Sequence, residues 1–325
     1  MLTMTLIFLM IIVGGLTRLT NSGLSITEWE LFKGIIPPLN KTTWIEYFEL
    51  YQKIPQYKII NPTMSLEEFK IIFYWEYAHR ILGRFIGLFF LIPLIYFHVT
   101  SKLKGKDLIE YYFILSLIVA QGVVGWYMVK SGLVNDVTVS HFRLSMHLTG
   151  AIIILVSIFW KVKCLSENKI KTFFNFTKEK IPYFILIFLI FIQIIFGAFV
   201  SGLDAGKIYQ TWPLMGNSFF PDDYIFKEIT TFIDFNNHSL VQFYHRNFAY
   251  LILLYITLLT FYILNSKNKF LYKPITLLLI VVFAQAILGV FTLISNLNIV
   301  IAAAHQITSV ILVLTSVNLY FSAIK

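Results

Sequence analysis

The sequence predicts an all-α integral membrane protein with eight transmembrane helices, arranged as two pseudo-symmetric four-helix bundles. Three observations lead to this prediction. Hydrophobic residues make up 58% of the 325 residues and charged residues only 13%, about half the roughly 25% found in soluble domains. Eight apolar runs are long enough to cross a bilayer core of about 30 Å. Finally, motifs of the first half recur in the second, which is typical of a parallel internal repeat.

The eight predicted spans follow one another along the whole chain. Each is a predominantly apolar run, and at a rise of about 1.5 Å per residue such a run crosses the hydrocarbon core. The first run ends in GGLTR (14–18) without a small-residue cleavage site, so we interpret it as a span rather than a signal peptide. The runs cover about residues 1–18, 73–98, 110–130, 142–163, 181–202, 241–264, 273–295 and 299–322.

Lysines concentrate in alternate loops and at the end of the chain. They are Lys102, Lys104, Lys106, Lys161, Lys163, Lys169, Lys171, Lys178, Lys180, Lys267, Lys269, Lys273 and Lys325. Because cytoplasmic loops carry an excess of basic residues, we expect these loops and both termini to be cytoplasmic, with the longer loops at 19–72 and 203–240 facing outward. The net charge of +9 therefore reports orientation and not nucleic-acid binding. The lack of an Arg- and Ser-rich leader favours a bacterial plasma membrane over a mitochondrion.

An internal repeat divides the chain into two halves. EYAHR (76–80) recurs as QFYHR (242–246), AQGVVG (120–125) as AQAILG (284–289), and LSMHLTGAIIILV (144–156) as AAAHQITSVILVL (302–314). Four spans per repeat give both copies the same orientation in the membrane. We therefore predict an N-terminal four-helix half at residues 1–165 and a C-terminal half at 166–325.

Four histidines occupy equivalent places in the two halves: His79, His147, His245 and His305. Each is expected about six residues, or roughly 9 Å, inside the outer end of its helix. Two facing imidazoles in a four-helix bundle are a common arrangement for holding haem iron from both axial positions. We therefore predict one bis-histidine haem site per half. The other histidines, His98, His141 and His238, have no counterpart in the repeat, so we expect them to lie outside these sites.

Arginines close to the predicted ligands are candidates for binding haem propionates. Arg80 and Arg246 directly follow the first histidine of each half, and Arg84 and Arg143 are additional candidates in the first half. A guanidinium is the natural bidentate partner of a carboxylate. Snorkelling of an arginine towards the membrane surface is the alternative interpretation.

One substitution distinguishes the two halves. Glu76 of the first copy is replaced by Gln242 in the second. Glu76 precedes His79 by three residues and therefore lies on the same helix face. A carboxylate beside an intramembrane ligand is costly and points to function, and such a group can accept or relay protons. We therefore predict that the first half is the chemical site and that the second holds a permanent electron-transfer haem.

Six stretches form a specific signature over nearly the whole chain. They are GGLTRLTNSGLSITEW (14–29), EYAHRILGR (76–84), HFRLSMHLTGA (141–151), GLDAGKIYQTWPLMG (202–216), QFYHRNFAYL (242–251) and AAAHQ (302–306). Together they resemble the haem A synthase family, in the subgroup found in proteobacteria and mitochondria. Some members carry a cysteine pair in the first outer loop. This chain has only Cys164, so a thiol relay through residues 19–72 is excluded.

The resemblance implies a reaction and a set of residue roles. The C8 methyl group of haem O would be oxidised to a formyl group by two successive hydroxylations and loss of water, giving haem A for cytochrome oxidase. His79 and His147 would bind the substrate haem, with Glu76 as the catalytic carboxylate. His245 and His305 would bind a haem b cofactor.

Two other functions are compatible with the residues. A di-haem b electron-transfer cytochrome would need similar surroundings for both haems and would have no use for Glu76. A haem carrier or transporter would be expected to have broken helices at the middle of the membrane. For the synthase, we expect haem O as substrate, the lipid bilayer as surroundings and haem O synthase as a contact. The sequence leaves open whether the chain forms a homo-oligomer, and what His141 and His238 do.

Overall fold

The computed structural model describes residues 1–28, 33–133, 137–174, 176–225, 228–266 and 268–324. Trp29 of the first loop motif and two of the predicted cytoplasmic lysines, Lys267 and Lys325, lie outside these residues. Over the described ranges the chain is helical and contains no β-strand, which confirms the all-α prediction. Eight of the helices are long and apolar enough to cross a membrane, which agrees with the eight predicted spans.

Ten α-helices make up most of the described chain. They are α1 (Leu2–Leu19), α2 (Lys41–Gln52), α3 (Pro55–Ile60), α4 (Leu66–Val99), α5 (Gly105–Gly132), α6 (His141–Ser166), α7 (Ile181–Gly202), α8 (His238–Asn265), α9 (Tyr272–Ile294) and α10 (Ile299–Ala323). The short helices α2 and α3 lie between α1 and α4. The remaining eight correspond to the predicted spans.

The chain forms two compact units, Met1–Leu155 and Val156–Lys325. In the first unit α1 packs along α4, and α4 packs against α5. Helix α6 contacts α5 through the Gln121 amide, which donates to the backbone carbonyl of His147. The predicted division at 165/166 and the pseudo-symmetric arrangement of two bundles stay predictions.

The second unit is built on a ring of four helices. Helix α7 contacts α8, α8 contacts α9, α9 contacts α10, and α10 returns to α7. The interior is filled by branched aliphatic side chains such as Leu186, Ile256, Leu278 and Val313, all fully buried. A closed ring of this kind places side chains from four helices around one interior, where a cofactor site can be built.

The segment between α1 and α4 is more structured than the sequence indicated. Helix α4 begins at Leu66, seven residues before the predicted start, because Ser65 and Glu68 form a reciprocal capping box at its N-terminus. Its early turns bury Phe69 and Phe73 against Trp44 of α2. With 34 residues α4 is about 51 Å long, well beyond a bilayer core of about 30 Å. An apolar-run criterion misses such a start, since the first turns of α4 carry Glu67, Glu68 and Lys70.

This earlier start corrects the predicted position of one histidine. His79 is the fourteenth residue of α4, so the expectation of six residues from the helix end is wrong there. His147, His245 and His305 are the seventh, eighth and seventh residues of their helices, as expected. The additional turns of α4 pack against α2, so His79 lies well inside α4 rather than near its start.

Candidate functional site

The four repeated histidines form two pairs, one in each unit. The imidazole rings of His79 on α4 and His147 on α6 have centroids 6.4 Å apart, with an angle of 58° between the ring planes. The rings of His245 on α8 and His305 on α10 are also 6.4 Å apart, with an angle of 86°. The fold thus brings together the residues that the repeat had indicated, in the predicted pairs.

This separation suits two axial ligands of one iron. Histidine nitrogens bind transition metals at about 2 Å, and the ring centre lies about 1.2 Å behind the nitrogen, so two imidazoles on opposite sides of a metal have centroids about 6 to 6.5 Å apart. Within the described residues there is no group of three or more His, Cys, Asp or Glu placed to hold a metal ion. Two-histidine sites therefore fit an iron already held by a porphyrin better than they fit zinc.

A glycine on a neighbouring helix faces each of the four imidazoles. A Cβ atom added to the glycine would lie 3.0 Å from the ring at Gly14 and His79, 3.0 Å at Gly125 and His147, 3.1 Å at Gly197 and His245, and 2.9 Å at Gly289 and His305. Contacts this short force the ring to move. The glycines therefore keep space for the imidazoles, and this feature was not predicted from the sequence. The signal was present, because Gly125 and Gly289 are equivalent residues of the AQGVVG and AQAILG motifs.

Glutamine side chains fix the histidines from the odd-numbered helices. Nε2 of Gln121 on α5 lies 3.0 Å from Nδ1 of His147, and Nε2 of Gln193 on α7 donates to the backbone carbonyl of His245 at 2.9 Å. The Gln121 contact orients the ring of His147 before metal binding, whereas the Gln193 contact fixes the backbone of α8 at His245. Buried Nδ1 atoms of His245 and His305 have no hydrogen-bond partner among the described residues. Unsatisfied imidazole nitrogens of this kind are consistent with a site whose polar groups serve a bound group.

Glu76 is the centre of a buried polar network in the first unit. Its Oε1 atom accepts from Nε and Nη2 of Arg80 at 3.0 and 2.6 Å. Its Oε2 atom accepts from the Ser25 hydroxyl and from the backbone N–H of Ile26, both at 2.8 Å. The carboxylate is 3% exposed. Two N–H groups of the Arg80 guanidinium, the Ser25 hydroxyl and the Ile26 backbone N–H fill the acceptor positions of the carboxylate and tie the loop after α1 to α4.

The second unit repeats the network with an amide in place of the carboxylate. Nε2 of Gln242 donates to the carbonyl oxygen of Tyr209 at 2.8 Å. Arg246 donates to the carbonyl oxygens of Tyr209 and Thr211, each at 2.9 Å, and to that of Leu214 at 3.3 Å. In the part of the chain that the structure describes, Oε1 of Gln242 and Nε of Arg246 have no hydrogen-bond partner. The loop after α7 is therefore held like the loop after α1, but without a carboxylate.

An acidic residue outside the spans secures the same loop. The Tyr209 hydroxyl donates to Asp223 at 2.5 Å, and the Ser239 hydroxyl donates to its other oxygen at 2.7 Å. Burial alone would raise the pKa of Asp223, but these hydrogen bonds outweigh it, so that pKa lies below its usual value. Asp223 thereby keeps Tyr209 in the position where its carbonyl meets Gln242 and Arg246.

The remaining candidates lie around the sites rather than between the paired imidazoles. Arg84 lines a small cavity together with Arg80 and Tyr77. The guanidinium of Arg143 stacks 4.8 Å from the ring centre of Tyr127 on α5, a cation–π contact.

The three other histidines lie at or near the ends of their helices. Nδ1 of His98 lies 2.8 Å from the hydroxyl of Tyr112, towards the other end of α4. His141 and His238 are the first residues of α6 and α8.

Comparison with known proteins gives one consistent result. Residues 1–317 match the COX15-CtaA family, described as cytochrome oxidase assembly protein. The chain is 51% identical over 315 residues to a haem A synthase of Pelagibacter ubique, covering 96% of this chain and 91% of that protein. It is 42% identical to a haem A synthase of Rickettsia bellii, with 97% and 94% covered. For a haem A synthase of Parvibaculum lavamentivorans the identity is 41%, with 93% and 86% covered.

Proposed function

The chain belongs to the COX15-CtaA family of cytochrome oxidase assembly proteins, and from this premise we propose that it is a haem A synthase. In this function it oxidises the C8 methyl group of haem O to a formyl group, by successive hydroxylations and loss of water. Relatives that carry the name haem A synthase align over nearly the full length of both chains. One observation carries the proposal furthest: two histidine pairs have the same 6.4 Å separation, but Glu76 precedes His79 by three residues in the first unit where Gln242 precedes His245 in the second.

We assign the first pair to the substrate. His79 and His147 would bind the iron of haem O from both faces, while Gly14 and Gly125 leave room for the rings. Gln121 would keep the ring of His147 at the angle required for axial ligation. A substrate fixed at its iron presents its rim in a constant position, and this restricts which substituent meets the protein groups around it.

Glu76 is assigned as the catalytic carboxylate, acting together with Arg80. Oxidation of a methyl group releases protons, and a carboxylate beside the substrate is a suitable group to accept them. In the structure all four acceptor positions of Glu76 are filled, so one donor must leave before a proton is taken up. Arg80 is that donor, because a haem propionate offers its guanidinium an equivalent bidentate partner.

We assign the second pair to the cofactor. His245 and His305 would bind haem b. Gly197 and Gly289 would leave room for the rings, and Gln193 would hold the backbone carbonyl of His245. Bound there, haem b supplies one-electron transfer. Gln242 carries no charge and forms no acid–base group, so this site lacks the residue that the oxidation of a methyl group requires.

The surroundings follow from the helices and from the lysine pattern. Eight membrane-crossing helices place the protein in the bilayer where its hydrophobic substrate is found. We propose the bacterial plasma membrane, with both termini in the cytoplasm and the histidine pairs towards the outer face. Haem O would be received by contact with haem O synthase in the same membrane.

A haem extraction experiment tests the proposal. The protein is purified from a host that supplies haem O, and its non-covalent haems are extracted, separated by chromatography and identified by mass. Haem B together with haem O, hydroxylated intermediates or haem A is the expected result. Haem B alone, with haem O available in the host, would contradict it. That outcome would favour a di-haem b electron-transfer cytochrome, in which the equal separation of both histidine pairs would reflect equal roles.

A further inference from the structure

In each unit one arginine donates a hydrogen bond to the backbone of a loop, at equivalent positions of the two loop motifs. Nη2 of Arg80 donates to the carbonyl oxygen of Ile26 at 2.9 Å, and Nη2 of Arg246 donates to the carbonyl oxygen of Tyr209, also at 2.9 Å. Each arginine directly follows a histidine of its pair in the sequence, so the two Cα atoms are about 3.8 Å apart. The two guanidiniums are thus placed alike with respect to their sites, and any difference in their effect arises from their neighbours.

The neighbours of the two guanidiniums differ by one full charge. Oε1 of Glu76 lies 2.6 Å from Nη2 of Arg80 and forms an ion pair with it. Gln242, four residues before Arg246, gives its amide hydrogen to Tyr209 instead. Among the described residues the partners of Arg246 are backbone carbonyls. The first arginine is therefore neutralised, whereas the second keeps its positive charge.

The two residues that differ, Glu76 and Gln242, are buried and Arg246 is partly buried, so water screens this charge difference less than at the protein surface. The side chains of Glu76 and Gln242 are 3% and 2% exposed, and that of Arg80 is 11% exposed. Charges in such surroundings interact several times more strongly than in bulk water. A haem carries two propionates, so an uncompensated guanidinium beside it attracts the molecule as a whole. A guanidinium next to a carboxylate does so far less, because the charge of Glu76 stays close to Arg80 and offsets it even while Arg80 binds a propionate.

We propose that the Glu76/Gln242 difference determines which site releases its haem. The proposal rests on the function assigned above, in which the haem at His79 and His147 must enter and leave while the haem at His245 and His305 stays. The neutral pair allows the first haem to exchange, and the positive charge of Arg246 retains the second. The same charge favours the ferrous over the ferric state, so it also raises the midpoint potential of the retained haem.

Single-site backgrounds separate the two haems for measurement. Full-length protein carrying His147→Ala retains only the second site, and His305→Ala retains only the first. Each is loaded with haem B, and the transfer of haem to excess apomyoglobin is followed at the Soret band. The midpoint potential is measured by spectroelectrochemical titration. In these backgrounds the first site is expected to lose haem at least about ten-fold faster than the second. A hydrogen bond to a charged group stabilises a complex enough to change its dissociation by about this factor.

Three substitutions in the second site test whether charge is the cause. Gln242→Glu and Arg246→Gln neutralise the site by different routes. Both are expected to accelerate haem loss about ten-fold and to lower the midpoint potential. Gln242→Met removes the hydrogen bond to Tyr209 without adding charge, and is expected to change haem loss less than about three-fold. Equal haem loss in Gln242→Met and Gln242→Glu would overturn the proposal, as would unchanged haem loss in Gln242→Glu.

A reciprocal substitution in the first site excludes misfolding as an explanation. Glu76→Gln leaves Arg80 with its charge, so haem loss from this site is expected to become slower, which a damaged fold cannot produce. Faster or unchanged haem loss would overturn the proposal. The haem-loss assay and the haem extraction experiment can fail separately. Equal haem loss from the two wild-type sites would refute this inference even if haem A is formed. Failure to form haem A would leave the difference between the sites measurable.

Discussion

Gly289 lies so close to His305 that a Cβ atom at this position would be 2.9 Å from Cε1 of the imidazole. Three other glycine–histidine pairs have the same relationship at 3.0 to 3.1 Å. The positions of the histidine rings thus depend on glycines of the neighbouring helices, which have no side chain. Ring placement in both sites is therefore sensitive to the smallest possible side chain.

Gly289→Ala is expected to displace the ring of His305 and to weaken axial ligation of the haem in the second unit. Low-spin absorption and electron paramagnetic resonance spectra of the purified protein would report the loss. Gly122→Ala is the matched control, because a Cβ there meets no atom within 4 Å. Alanine is favoured over glycine in a helix by about 1 kcal/mol, so both variants gain helix propensity and only one meets a steric conflict. Identical spectra for both variants would contradict this role of Gly289.

Removing a ligand of the second pair is expected to remove its haem. His245→Ala or His305→Ala leaves a single imidazole, which no longer holds iron from both sides. The low-spin haem b spectrum should be lost from the purified protein. His98→Ala is the control, since His98 pairs with Tyr112 outside both sites. A low-spin spectrum that persists in either ligand variant would refute the assignment of His245 and His305.

Glu76→Gln is expected to keep haem bound while haem A formation falls by about 100-fold or more, the usual range for loss of an acid–base group. The fold should tolerate the change, because Gln242 beside Arg246 is the same combination in the second unit. Bound haem is measured by the pyridine haemochrome method, and haem O and haem A are quantified by chromatography. Normal turnover in this variant would remove the catalytic role of Glu76.

The spans and the histidine pairs could be predicted because each leaves a pattern in the sequence, namely apolar runs and an internal repeat. Apolar length identified each membrane-crossing helix, and the repeat linked His79 to His245 and His147 to His305. The turns of α4 before Phe73 were not predicted, since they are stabilised by the Ser65–Glu68 capping box and by packing on Trp44. Packing on Trp44 is a tertiary contact and leaves no periodic signal. The S-x-x-E pattern of Ser65–Glu68 is a helix-start signal in the sequence, but a criterion based on apolar runs does not use it.

Two hydrogen-bond partners of Glu76 could not be predicted from the sequence, because they are distant from it along the chain. Helical spacing indicates that Glu76 and Arg80, four residues apart, share a face. It does not indicate that Ser25 and the backbone of Ile26, about 50 residues away, complete the carboxylate's hydrogen bonds. The Glu76/Gln242 difference was visible in the sequence, but its electrostatic meaning required the structure.

Arg80→Ala is expected to weaken binding of the substrate haem more than it slows conversion of haem already bound. The substitution removes the proposed propionate partner and also leaves the buried carboxylate of Glu76 without its cation. Loss of one member of a buried ion pair costs about 3 to 5 kcal/mol, so the thermal midpoint should fall as well. Arg80→Lys separates the two effects, because it keeps the charge but loses the bidentate geometry.

Titration with haem O and single-turnover conversion measure the two quantities for Arg80. In Arg80→Lys the thermal midpoint should recover most of its loss, while affinity for haem O stays below that of the wild type. Affinity equal to the wild type in both variants would mean that Arg80 supports only the loop at Ile26. The propionates would then be held by other groups, of which Arg84 in the adjoining cavity is the nearest candidate.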